Sequence, residues 1–195
     1  MMLIGILRIG KVDLEVLERI KENLNDVFPD TECRIIPEET PLPQEFFDAK
    51  RMQHRSDMIL SLVHEFAEKM ENVHRVLGVV DVDIFVPGMN FVFGQAECPG
   101  KAAVISLWRL RPEFYGVQEN MDTLVERGTK EAVHELGHTI GLEHCDNPFC
   151  VMYFSNSIFE TDRKKSLFCW KCYVKIQKFL FVLMGEGLGK RNLQS

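Results

Sequence analysis

The spacing of apolar positions changes several times along the first half of the chain. Residues 2–9 (MLIGILRI) form a nearly unbroken apolar run and predict a buried first strand. Leu14, Leu17, Ile20, Leu24, Val27 and Phe28 then recur at helical spacing, so residues 12–28 predict an amphipathic helix that Pro29 stops. Thr31 to Ile36 predict a second strand. The stretch 37–53 holds three prolines and predicts an irregular excursion. Ser56 or Asp57 is placed to cap a second helix, with Ile59, Leu62, Val63, Phe66 and Met70 as its apolar stripe.

The second half returns to strands. Residues 75–86 (RVLGVVDVDIFV) predict a strand whose Asp81 and Asp83 read as polar positions of a half-exposed strand or its end, rather than a hard-metal site. Asn90 to Glu97 and Ala102 to Leu110 predict two more strands joined by a turn, the first short and Gly-broken as edge strands often are. Residues 120–140 predict a helix with Ala132, Val133, Leu136 and Ile140 towards the core. Gly137 is costly inside that helix and predicts close packing against another backbone. Asp162 is expected to cap a last helix from near Cys169 to Met184, followed by a frayed tail. The order strand, helix, strand, helix, three strands, helix predicts an α/β fold, a mixed sheet with helices packed on it. A cleft is expected between the 120–140 helix and the edge strand near 90–97, where a peptide would add by backbone hydrogen bonding.

Composition narrows this picture. The chain has 195 residues, 46% hydrophobic and 27% charged, enough for one cored domain or a domain with a small appendage. A net charge of −6 argues against nucleic acid, whose binding rests on phosphate neutralisation by Lys and Arg. The start MMLIGILRIG lacks the basic flank and cleavage site of a signal peptide, and the apolar run Phe179 to Met184 is too short to span a bilayer. A soluble, cytoplasmic monomer without a membrane partner is the expectation. In a reducing compartment, clustered cysteines are metal ligands more often than disulfides.

The chemistry concentrates in residues 134–152, HELGHTIGLEHCDNPFCVM. On a helix, residues i and i+4 share a face, so His134 and His138 present two imidazoles to one point. Glu135 is next to them and can hold a metal-bound water. His144 would lie about 15 Å along a continued helix and could not join that point, so the helix must end before it. Gly141 is the residue that accepts the left-handed cap such a turn needs. The other histidines carry no such pattern: His64 has Glu68 where a second His would stand, and it and Glu65 read as solvated helix residues, while His54 and His74 have no partner spacing.

Cys145 and Cys150, with four residues between them, and the Cys169-x-x-Cys172 pair offer four thiolates for a closed tetrahedral site. Neighbouring side chains in an extended segment point to opposite sides, so His144 and Cys145 could face two different ions. Cys33 and Cys98 lack partners and read as ordinary buried thiols.

With its downstream methionine, the motif His-Glu-x-x-His-x-x-Gly-x-x-His at 134–144 resembles the metzincin clan of zinc peptidases. With Cys145, Cys150, Met152, Cys169 and Cys172 it is more closely similar to the archaemetzincins, over residues 131–172. MNFVFGQAE at 89–97 resembles that family's substrate-edge strand, and YFSNS at 153–157 its segment after the methionine. The resemblance implies a catalytic zinc on His134, His138 and His144, Glu135 as general base, and Met152 in a turn under the zinc. It implies a structural zinc on Cys145, Cys150, Cys169 and Cys172, making two Zn²⁺ per chain. It also implies a metzincin-like fold, with a twisted mixed sheet, a backing helix and an active-site helix in residues 1–144 and a small zinc-stapled subdomain in 145–195. Tyr153 directly follows Met152, whereas the switch tyrosine of some metzincins lies two residues after it, so Tyr153 is given no ligand role.

The function expected is zinc-dependent hydrolysis of peptide or protein substrates; the resemblance adds an aminopeptidase-like activity, while the residues leave exo- and endopeptidase cleavage open. A zinc-stabilised interaction protein with a silent site is the rival. A three-His ribonuclease is a weaker one, since Glu135 stands where that motif has Gly.

Overall fold

The computed structural model describes residues 1–191, with side chains to Leu183. Five strands form the main sheet in the order β2 (Thr31–Thr40), β1 (Met2–Ile9), β5 (Arg75–Val80), β8 (Ala102–Ser106), β7 (Gly94–Ala96). The first four run parallel and β7 joins antiparallel at the edge. The apolar run of β1 and the unbroken burial of β8 follow from cover on both faces, the usual state of a parallel sheet. Helices α1 (Leu14–Val27) and α3 (Met121–Thr139) lie on one face, and α2 (Ser56–Lys69) on the other.

Ser56 and Asp57, expected to cap α2, both lie inside it; its N-cap is Arg55, without a side-chain cap bond, and the Asp57 carboxylate pairs with Arg55 at 2.6 Å instead. Asp13 caps α1 by accepting from Glu15 N–H, and Asn120 caps α3 by accepting from Thr123 N–H. Ala132, Val133, Leu136 and Ile140 are buried, as the stripe of α3 predicts.

Several boundaries move, each for a tertiary reason. β2 continues through Pro37 to Thr40, with an irregular register between Ile6 and Arg8 of β1; an edge strand tolerates the missing N–H. Part of the expected excursion forms a second, three-stranded sheet from β3 (Phe47–Asp48), β4 (Gln53–Arg55) and β6 (Ile84–Phe85). The strand expected over 75–86 therefore breaks at Val80 and its end joins the small sheet. Asp81 and Asp83 sit at that break and pair with Arg111 and Arg109, the latter at 2.6 Å. β7 is confined to Gly94–Ala96, and β8 ends at Ser106 because Trp108–Leu110 turns into a 3₁₀ helix.

The chain after His144 completes the same core: Val151, Met152, Ile158, Ile176 and Leu180 belong to the apolar cluster of Ile4, Leu77 and Leu136. A short helix, α4 (Ile158–Arg163), is closed by a Ser157–Glu160 capping box. Asp162 lies inside it and takes a two-pronged bond from Arg127 at 2.7 and 2.8 Å, rather than capping the last helix. That helix, α5 (Trp170–Arg191), extends past Met184; of the expected frayed tail, residues 192–195 lie outside the described residues. Among the described residues no helix is long and apolar enough to cross a membrane.

Candidate metal centres

α3 ends as the motif requires. Gly141 has φ +89°, its N–H donates to His138 C=O at 2.8 Å, and Leu142 N–H donates to Gly137 C=O at 3.1 Å. This double closure is a Schellman cap, and it reverses the chain within three residues. His144 is thereby returned to His134 and His138, and the three rings lie 4.7–5.3 Å apart between centroids. One nitrogen from each falls within 4.8 Å of the other two.

The hydrogen bonds decide which nitrogens those are. His134 Nδ1 lies 2.8 Å from Val151 C=O and His138 Nδ1 lies 2.7 Å from Leu142 C=O. A carbonyl oxygen only accepts, so both Nδ1 atoms carry hydrogen and both Nε2 atoms present lone pairs. Those Nε2 atoms are 3.1 Å apart. Two neutral imidazoles aimed at one point repel unless a cation stands between them. Tetrahedral ligands at about 2.05 Å from zinc would stand about 3.3 Å apart, which the pair fits. Burial holds all three imidazoles below their usual pKa, His134 the furthest, with the Lys164 ammonium as the next cause for His134 and His144. Neutral imidazole is the ligand form.

The four cysteines also converge, with one sulfur of each within 4.8 Å of the others. Cys145 Sγ and Cys169 Sγ are 3.8 Å apart, far beyond a disulfide bond and close to the edge of about 3.8 Å that a zinc tetrathiolate requires. Burial raises the Cys150 and Cys172 thiols. For Cys169, hydrogen bonds from Cys172 N–H and from the neighbouring thiols outweigh it and bring the pKa to about 7. A thiolate is therefore available near neutrality to start metal capture.

Three consecutive residues tie the two clusters together. Cys150 supplies a sulfur to the second. Val151 C=O orients His134 of the first. Met152 C=O accepts from Cys145 N–H at 2.9 Å, and its sulfur would stand only 2.5 Å from a Cβ on Gly137. The close neighbour that excludes a side chain at Gly137 is thus the Met152 side chain, where backbone was expected. Met152 is fully buried.

The His cluster opens into a cleft of about 600 Å³ between α3 and the edge β7. Phe91, Phe93, Gly94 and Gln95 line the strand side, with Phe154 and Asn156 opposite. Glu135 faces this cleft, and burial together with the nearby Glu131 carboxylate pushes its pKa well above the ordinary range.

Other participants were not singled out by the sequence pattern. Gly94 lies directly against the Glu135 carboxylate. Glu131, one turn before Glu135, lines the cleft and meets the fully buried Lys164 at 3.0 Å, a bent ion pair without an aligned hydrogen bond. Thr161 Oγ1 donates to the same carboxylate at 3.2 Å. The i, i+4 relation of Glu131 and Glu135 was visible in sequence; their cation, 33 residues further on, was not. Of the cysteines left unassigned, Cys33 is buried as expected, but Cys98 is exposed at the turn after β7, with its thiol near Leu142 C=O.

The family model described as peptidase family M54 matches residues 1–178. An archaemetzincin of Methanocaldococcus jannaschii is 45% identical over 169 residues, covering 87% of this chain and 89% of its own. One from Pyrococcus abyssi is 49% identical, covering 70% and 72%. Among solved structures, the archaemetzincin of Methanopyrus kandleri superposes with a TM-score of 0.79 at 33% identity, covering 92% of this chain and 95% of that one. A zinc-dependent peptidase of Methanocorpusculum labreanum reaches 0.81 at 31% identity, covering 89% and 99%.

Proposed function

The chain belongs to peptidase family M54, the archaemetzincins, and is a zinc metallopeptidase by family; from that premise we propose that His134, His138 and His144 hold a catalytic zinc, with Glu135 as general base. The observation that carries the ligand assignment is the 3.1 Å approach of two Nε2 lone pairs whose Nδ1 partners are both committed to carbonyls. Bound there, zinc supplies a Lewis acid for the scissile carbonyl and acidifies water. A peptide laid along β7 gains backbone hydrogen bonds from the free edge and brings its carbonyl over the His cluster. Glu135, buried beside His134, takes the proton of the attacking water and returns it to the leaving amine. Aminopeptidase-like cleavage is the finer form of the proposal.

Cys145, Cys150, Cys169 and Cys172 are proposed to hold a second, structural zinc, which supports a count of two per chain and a C-terminal unit beginning at Cys145. The cytoplasmic location remains part of the proposal, consistent with reduced thiols.

A peptide library with free and N-acetylated members, incubated with zinc-loaded protein, tests the activity. Cleavage by wild type should fall by about 10²–10⁴-fold in Glu135→Gln with zinc retained. Equal cleavage by both forms would remove Glu135 from the mechanism. No cleavage by either would favour a binding protein. Loss of cleavage on N-acetylation separates trimming from internal cutting.

A further inference from the structure

The net charge of −6 hides an uneven distribution. Residues 163–195 contain eight Lys and Arg against Glu186 alone, a net +7, so residues 1–162 carry −13. No acidic residue occurs between 163 and 185, so Lys171, Lys175 and Lys178 have no acidic residue within one turn on their own helix.

Helical geometry sorts α5 into two faces. Cys172, Ile176 and Leu180 are buried against the core. On the opposite side Trp170, Val174 and Phe181 fall within an arc of about 40°, at about 100° per residue. Lys178, Lys171, Val182 and Lys175 occupy the neighbouring arc. Trp170 is 75% exposed, Phe181 77% and Val182 58%. The apolar surface continues off the helix. Lys165 N–H donates to Phe149 C=O and Val151 N–H donates to Leu167 C=O, and the Phe149 and Leu167 side chains carried by these adjoining segments are also exposed. Scattered single apolar residues are ordinary on a surface, but aromatic and aliphatic groups interleaved with unpaired lysines are not.

We propose that the outward face of α5, with the Phe149–Leu167 rim beside it, is a peripheral docking surface for an anionic lipid membrane. The inference is independent of the peptidase reading. Lysines flanking an apolar stripe place their ammonium groups at phosphate level while their stems lie along the acyl boundary. Trp170 suits the headgroup layer, with an apolar body and one N–H donor. Charge complementarity selects an anionic partner. The shape selects lipid over nucleic acid: Val182 and Leu167 gain nothing from base stacking, and a convex helix face has no groove to track a phosphate chain. The net charge of the whole chain conceals this basic face because it averages two regions of opposite sign. α5 would lie on the surface without crossing it.

The test uses full-length, zinc-loaded protein carrying Trp108→Phe, which leaves Trp170 as the reporter. Vesicles of phosphatidylglycerol with phosphatidylcholine should sediment the protein and blue-shift Trp170 emission at about 0.15 M salt, and phosphatidylcholine alone should do neither. Lys175→Glu with Lys178→Glu should weaken binding on the order of tenfold or more. Phe181→Ser should weaken it with charge unchanged, and zinc content and circular dichroism should match wild type in both variants. Absence of binding to anionic vesicles overturns the proposal. So does equal binding to neutral vesicles, tighter binding to an oligonucleotide than to vesicles, or burial of Trp170 in a dimer that Phe181→Ser dissolves.

Discussion

Gly94 of β7 and Glu135 of α3 approach so closely that no side chain fits between them. A Cβ on Gly94 would stand 2.6 Å from Glu135 Cγ, 2.7 Å from its Oε1 and 2.8 Å from Val104 C=O. The carboxylate proposed as the base therefore rests on the strand proposed to hold the substrate. Gly94→Ala must displace either the carboxylate or the edge strand, since Val104 C=O is backbone and cannot swing away. Misplacing a reacting group by about 1 Å costs about 10²-fold in turnover. Expected is a kcat lowered by that order with zinc content unchanged; wild-type kcat in this variant would show that the contact does not position Glu135.

The Glu131–Lys164 pair bears on stability. Lys164 is almost fully buried, and removing one member of a buried pair costs about 3–5 kcal/mol by stranding the other. Lys164→Met should lower the urea midpoint accordingly, and adding Glu131→Leu should restore much of it. Additive losses in the double variant would mean that the two do not act as a pair.

Removing a thiol should reach across to the histidines. Cys150, Val151 and Met152 serve both clusters in consecutive positions, and Cys145 is adjacent to His144. Cys169→Ser is expected to lose the second zinc and to loosen the first, read as metal per chain by mass spectrometry before and after mild chelation. Unaltered retention of the His-site metal would uncouple the centres.

Protonation should destabilise the metal-free protein. An unfolded His titrates near about 6.5, and burial lowers His134, His138 and His144 in the fold. The folded state then binds fewer protons than the unfolded one. Its stability is fully present above about pH 6.5 and is lost as pH falls from there towards the folded values. Glu135, raised by burial, titrates in the opposite sense, so Glu135→Gln is the cleaner background. Urea midpoints from about pH 7.5 down to about 5 should decline; a flat series would contradict the neutral buried imidazoles.

Much of the site is local and therefore legible in order. His134 and His138 share a face because four residues make about one turn, and Gly141 ends α3 because a left-handed residue was needed before His144. The two cysteine pairs declare four thiolates by spacing, and the apolar runs place the central strands. Interactions across the chain decided the rest. Pairing with β4 took Ile84 and Phe85 from the main sheet, and a salt bridge to Arg109 gave Asp83 its place. Gly137 was marked as an anomaly in its helix, yet only the fold shows that the Met152 sulfur leaves no room for a Cβ there. Gly94 against Glu135 and Lys164 against Glu131 are contacts between residues tens of positions apart. Periodicity reports which face a residue presents, whereas contact depends on which face another element brings to meet it, and that is set by packing of the whole core.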